Sequence, residues 1–201
     1  RQLRPNKHRE KDQGQEVMKM AVDTTKNPIP FEMAQIPGPE MAKTYATKVM
    51  GAIIKKSKRP LLVVGAELFE DPVMFDKVIE MAKAKNMPIA ATAHSVKGFV
   101  DRGYLENVHQ IGLHPLTNYL RFADWKGLDG QGQYDAVIFM GIFYKFANAM
   151  FATLKNFNRD IKRISLDRYY HVNADMTFGN LAFDPDGYHE AIDEVIAALK
   201  K

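Results

Sequence analysis

Residues 59–93 read RPLLVVGAELFEDPVMFDKVIEMAKAKNMPIAATA, and this stretch decides the fold. Residues 61–64 are an unbroken aliphatic run closed by Gly65, the pattern of a strand covered on both faces. Asp71 before Pro72 joins a helix-capping residue type to the residue favoured in a first turn, and Met74, Val78, Met81 and Ala82 then recur on one helical face. A second short apolar run starts at Pro88. Strand, helix and strand over about 30 residues make a βαβ unit, whose crossover is right-handed almost without exception.

The same theme repeats outward. YDAVIFMG (134–141) and KRISLD (162–167) read as strands with the helix KFANAMFATLKNF (145–157) between them. Another strand is expected near 174–178. A last helix starts at Pro185, where Asp184 and Asp186 suit the helix N-terminus and Tyr188, Ala191, Ile192, Val195, Ile196 and Leu199 form an apolar stripe. On the amino side, PEMAKTYATKVMGAIIKKSKR (39–59) places Met41, Tyr45, Val49, Ala52 and Ile53 at helical spacing and ends in cations that complement a helix C-terminus. Residues 98–127 read as loop and then a helix over 115–125. The pattern predicts an α/β fold, a doubly wound and mainly parallel Rossmann-like sheet over residues 38–201. An N-terminal extension, residues 1–37, precedes it and ends in the proline-rich stretch IPFEMAQIPGP (29–39).

With 201 residues, 46% hydrophobic and 26% charged, the chain is close to the average folded domain and too short for a large multidomain enzyme. It has 0 cysteines, so disulfides, thiolate nucleophiles, cysteine-held zinc and ordinary iron–sulfur clusters must belong to a partner. No apolar run reaches the roughly 18–20 residues of a membrane span, and the start RQLRPNKHREKDQ lacks the apolar core of a signal peptide. No membrane contact and a cytoplasmic location are therefore expected. Residues 1–30 hold seven Lys or Arg against four Asp or Glu, most of the net charge of +4, which leaves a nearly neutral body and a poor match for nucleic acid. Within that polar extension Val17, Met18, Met20, Ala21 and Val22 form an apolar patch, which reads as an arm that docks on a partner.

In an open parallel sheet, ligands bind past the carboxyl ends of the strands where the winding reverses. The turns there are 65–67, 93–98, 141–145 and 167–168. The phosphate-binding patterns GxGxxG and GxxxxGK[ST] and the hydrolase pattern GxSxG are absent from the sequence. Gly65 and Gly141 fit a tight turn as readily as the close approach of a ligand, whereas Gly130 and Gly132 precede a strand and read as a turn. His109 and His114 stand five apart with no acidic cluster, so no metal site is expected. His94, Ser95 and Lys97 lack an orienting carboxylate, and no catalytic residue is assigned. Phe143, Tyr144, Phe146, Met150 and Phe151 crowd one helix, which is either buried by its neighbours or presents a soft apolar surface to another subunit.

The segments RPLLVVGAELFEDP, PIAATAHSVKGF, YDAVIFMG and KRISLD, in this order, resemble the central domain of thiamine-diphosphate enzymes, a Rossmann-like fold that in some members holds FAD or ADP. More closely, the whole chain resembles the epsilon-subunit family of the archaeal acetyl-CoA decarbonylase/synthase complex. The resemblance implies a noncatalytic accessory subunit that stabilises the large, nickel–iron carbon monoxide dehydrogenase alpha subunit in an α2ε2 component. The complex makes or cleaves acetyl-CoA and oxidises carbon monoxide in methanogen metabolism, with nickel and iron–sulfur centres in the partner alone. The alternative it implies is an FAD-binding electron-transfer subunit, with Gly65, Lys97, Gly98, Gly141 and Asp167 as cofactor-binding residues. Lys97–Gly98 matches the Lys-Gly turn of those relatives, and Asp167 stands where they carry an acidic residue after a strand. Against this, Gly141 is followed by Ile142, Phe143, Tyr144 and Lys145, where FAD-binding relatives carry small residues and an arginine, and that bulk obstructs a pyrophosphate.

Overall fold

The computed structural model describes residues 22–32, 35, 40–92 and 94–201. Among these residues the strands are β1 (Lys43–Thr44), β2 (Pro60–Val64), β3 (Ile89–Ala91), β4 (Val108–Gln110), β5 (Ala136–Met140), β6 (Lys162–Ser165) and β7 (Met176–Thr177). The helices are α1 (Thr47–Lys56), α2 (Val73–Lys85), α3 (Val96–Val100), α4 (Leu113–Leu120), α5 (Tyr144–Phe157) and α6 (Pro185–Lys200), with a 3-10 turn at Ala66–Glu70. All seven strands pair in parallel, in the order β1-β7-β6-β5-β2-β3-β4. The chain winds from β2 out to β4, returns past β2 to β5 and continues to β7, so the fold is the doubly wound α/β expected, and its winding reverses between β2 and β5.

Each central strand feeds two core layers, because successive side chains point to opposite faces. Leu62, Val64, Ile138 and Met140 pack with α1, α2 and α6 on one face, while Leu61, Val63, Val137 and Phe139 pack with α4 and α5 on the other. All ten residues of β2 and β5 are buried, which explains why LLVV and AVIFM carry no polar alternation.

Three differences from the sequence reading have local causes. The expected helix over 39–59 begins only at Thr47, because the backbone N–H groups of Ala42 and Lys43 donate to the carbonyls of Val172 and Asp175, 3.0 Å each, and draw this segment onto the sheet edge as β1. Its buried face is therefore Thr47, Met50, Gly51 and Ile54 instead of the Met41–Val49–Ala52 stripe. Gly51 faces α6, and a Cβ there would lie 2.5 Å from Ala198 Cβ. Second, residues 98–127 hold the end of α3 and the edge strand β4, both elements too short to show a period, and the helix expected over 115–125 spans Leu113–Leu120. Third, Asp71 does not cap α2. Its carboxylate pairs with His189 of α6, and among the helix starts Asp184 is the residue that caps, accepting from Gly187 N at 2.9 Å.

Residues 22–32, read as extension, lie against the sheet. Thr24 is buried; its hydroxyl donates to Tyr45 O (2.8 Å) and its carbonyl accepts from Gly179 N (2.8 Å). Asn180 Nδ2 donates to the carbonyls of Asn27 and Ile29, and Phe31 N donates to the Tyr144 hydroxyl at 3.0 Å. Val22 packs on the main core layer. The rest of the apolar patch, residues 17–21, lies outside the described residues, as does the boundary at Gly38.

Candidate functional site

Gly65, Gly141 and Asp167 follow β2, β5 and β6 along one carboxyl rim and Gly98 lies inside α3 after β3, but the crevice between Gly65 and Gly141 is closed by the protein itself. Gly65 N donates to Met140 O (3.0 Å) and Glu67 N to Gly141 O (2.9 Å), so the turns after β2 and β5 are laced backbone to backbone. A Cβ on Gly65 would stand 2.7 Å from Ile142 Cα and nearer still to the Gly141 carbonyl. Gly141 has φ +62°, and a Cβ there would meet Leu68 Cγ at 2.5 Å. Of the two readings left open for these glycines, the tight turn fits the geometry of both: Gly65 is pressed on the backbone of the turn after β5, and Gly141 combines a positive φ with the Leu68 side chain above it. Gly98 is packed under the ring of Phe75, whose Cδ1 would lie 2.7 Å from an added Cβ.

The remaining rim side chains are turned to structural tasks. Ser95 is fully buried, its hydroxyl within reach of Val64 O (3.0 Å) and Thr92 O (2.8 Å), so it ties the β3–α3 turn to β2 and is unavailable as a nucleophile. His94 and Lys97 are exposed. Residue 93 of this turn is outside the described residues. Ile142 is buried in the second core layer and Tyr144 donates to Tyr170 O at 3.0 Å, while Phe143 stands out in solvent at the start of α5.

What the sequence reading did not single out is the charge at the bottom of this rim. Glu67, two residues past β2, faces the buried Asp167 after β6, with Glu70 and Arg168 beside them. Burial pushes the Glu67 carboxyl up to about 7, the negative charges of Asp167 and Glu70 add to this, and Arg168 opposes it. Arg168 is itself shared with Glu70 at 2.5 Å. Tyr188, fully enclosed behind them, donates to Leu166 O at 3.0 Å. The only signal in the sequence was one carboxylate in each of two turns that the topology makes neighbours. The gap lined by Glu67, Leu68, Gly141, Asp167, Arg168 and Tyr188, among others, measures about 20 Å³, room for one water. A pyrophosphate needs space, backbone amides and no facing carboxylates. The filled gap and the facing Glu67 and Asp167 carboxylates do not fit an FAD cradle.

Glu67 offers a direct test. Its folded pKa lies above the 4.5 of a free glutamate, so between these values the native state binds more protons than the unfolded chain and stability falls as pH rises, the loss complete above about pH 7. Glu67 is half-buried and partly screened by water, which reduces the expected effect to about 1–2 kcal/mol. Glu67→Gln is expected to match the wild type in urea melts at pH 4.5 and to exceed it by that amount at pH 8. Parallel curves for the two proteins would refute the raised Glu67 pKa.

Among the described residues no group of three or more His, Asp or Glu side chains is placed to hold a metal ion, and no helix is long and apolar enough to cross a membrane. Around the rim stand exposed aromatics instead. Phe183, between β7 and α6, is 96% exposed; Phe143 is 56% exposed; Phe69 follows β2; and Phe31 leans on Tyr169 with ring centroids 4.2 Å apart. Each follows, or packs on a segment that follows, a strand's carboxyl end.

Comparison with known proteins identifies the family. The family described as CO dehydrogenase beta subunit/acetyl-CoA synthase epsilon subunit matches residues 24–196. The chain is similar to the acetyl-CoA decarbonylase/synthase complex subunit epsilon of Methanothrix soehngenii, 83% identical over 184 residues, which is 92% of this chain and 98% of that protein. It is 40% identical to subunit epsilon 1 of Methanosarcina barkeri, over 89% of this chain and 99% of that one. Against subunit epsilon of Methanothermobacter thermautotrophicus the identity is 31%, over 84% and 95%.

Proposed function

Because the chain belongs to the CO dehydrogenase beta subunit/acetyl-CoA synthase epsilon subunit family, we propose that it is an accessory subunit of the acetyl-CoA decarbonylase/synthase complex, without catalytic chemistry of its own. In this reading it grips the large carbon monoxide dehydrogenase alpha subunit in an α2ε2 component in the cytoplasm, and the nickel and iron–sulfur chemistry of acetyl-CoA cleavage and carbon monoxide oxidation stays in that partner. The observation that carries the reading is the aromatic rim: Phe183 and Phe143 stand in solvent around a crevice that is already filled. Large aromatics in water are the anchors of protein–protein interfaces, where they enter desolvated pockets on the partner. The docking arm enters in revised form. Residues 22–32 are seamed to the body through Thr24, Asn27 and Phe31, so a truncation that tests the arm must stop at residue 21.

Co-expression with the alpha subunit and co-purification through a tag on that subunit tests this. Phe143→Ser/Phe183→Ser is expected to lower recovery of the small subunit by roughly tenfold or more, two interface anchors each contributing more than about 1 kcal/mol. Both side chains are exposed, so the variant is expected to unfold at the wild-type urea concentration. Undiminished recovery would reject the aromatic rim as the docking surface.

A further inference from the structure

At the amino end of the sheet, opposite the rim, a cavity of about 250 Å³ is walled by four separate segments: the entry to β2, the end of α2, the start of β4 and the loop before β5. It is smaller than the roughly 300–1,000 Å³ of typical drug-sized sites. Arg59 forms part of its wall. One edge of that guanidinium is engaged, Nη2 donating to Asp129 Oδ1 (2.8 Å) and Gly132 O (3.1 Å), and its plane lies 5.1 Å over the Tyr134 ring. Its Nε is shielded from solvent with no hydrogen-bond partner among the described residues. Lys58, Lys85, His109 and Gln131 also line the cavity, and their side chains make no hydrogen bond or ion pair to any described residue.

Each nearby acid is already hydrogen-bonded. Asp129 takes Arg59, and Asp135 accepts the backbone N–H groups of Lys58 (2.7 Å) and Arg59 (2.9 Å). Lys58 and Lys85 are left lining one space in which the carboxylate of Asp129 is already bonded to Arg59. The C-terminal dipole of α2 accounts for Lys85. It does not account for Lys58 at the entry to β2, His109 of β4 or Gln131 of the loop before β5.

We propose that this cavity binds the phosphate group of a small phosphorylated metabolite. A carboxylate is best met by the paired N–H groups of an arginine fork; here Arg59 Nη2 is taken by Asp129 and Gly132 and Nε is shielded from solvent, so that edge of the fork is closed to one. The donors that remain are point charges and single N–H groups spread over several walls, which suits a tetrahedral anion with oxygens on every side.

Titration of the full-length chain with inorganic pyrophosphate, followed by phosphorus NMR at fixed ionic strength, tests the site. The wild type is expected to give a saturable shift, and Lys58→Ala/Lys85→Ala to weaken binding roughly tenfold or more. Lys55→Ala/Lys56→Ala removes the same charge from the end of α1, outside the cavity lining, and is expected to bind within about twofold of wild type. Equal weakening by both pairs would assign the effect to diffuse surface charge and overturn the proposal. So would a shift that does not saturate, an undiminished affinity in the first pair, or citrate binding as tightly as pyrophosphate.

Discussion

Gly65→Ala is expected to destabilise the protein by about 3 kcal/mol, the upper range for forcing a methyl group into a packed core, which for a chain of this size lowers Tm by roughly 6–12 °C. The new carbon would stand 2.7 Å from Ile142 Cα and closer to the Gly141 carbonyl, both backbone, so no side chain can swing aside to relieve it. The residue has φ −104°, ordinary for any amino acid, so the effect isolates packing from backbone strain. Gly141→Ala adds a left-handed conformation at φ +62° to a clash with Leu68, and is expected to lose at least as much. Gly103→Ala is the control: φ is also +62°, but nothing lies within 4 Å of the added carbon, so only the conformational cost of about 1 kcal/mol remains. The two rim substitutions break one contact and are expected to sum to less than their separate losses. A Gly65→Ala protein that melts with the wild type would mean that the crevice has room, and would reopen it to a ligand.

That distinction was beyond the sequence for a definable reason. PLLVV and AVIFM announce buried parallel strands because their burial on both faces removes every polar residue, and the topology follows once crossovers are right-handed. Gly65, Gly141 and Asp167 could therefore be placed on one rim from spacing alone. What fills a crevice depends on contacts between residues far apart in the chain, such as Leu68 over Gly141 or Glu67 beside Asp167, and no local pattern encodes them. The same limit explains β1. Residues 41–53 carry good helical spacing, yet two hydrogen bonds to the β6–β7 connection and the burial of Ala42 outweigh a propensity worth fractions of a kcal/mol per residue. The short elements α3 and β4, five and three residues long, fall below the length at which a period can be seen.

The edge that captures β1 depends on one partly buried ion pair, and Asp175→Ala is expected to cost about 2–3 kcal/mol, at or below the roughly 3–5 kcal/mol for breaking a fully buried pair because the Asp175 side chain keeps some contact with water. The Asp175 carboxylate accepts from Arg163 Nη2 and from Arg163 N (2.8 Å), while its backbone carbonyl holds Lys43 N (3.0 Å), so β6, β7 and β1 meet at this residue. Without the carboxylate, Arg163, with 7% of its side chain exposed, keeps only bonds of 3.3 and 3.5 Å to Ile161 O and Asn158 O, and its Nε is already unpartnered. The loss is thus mainly that of a stranded cation, and removing the cation as well reverses much of it. Arg163→Met/Asp175→Ala is expected to recover at least about half of the stability lost in Asp175→Ala, measured as the urea midpoint at constant m. If the double variant is instead the less stable by the full sum of the two single losses, the pair contributes nothing as a pair, and β1 is held by its backbone bonds alone.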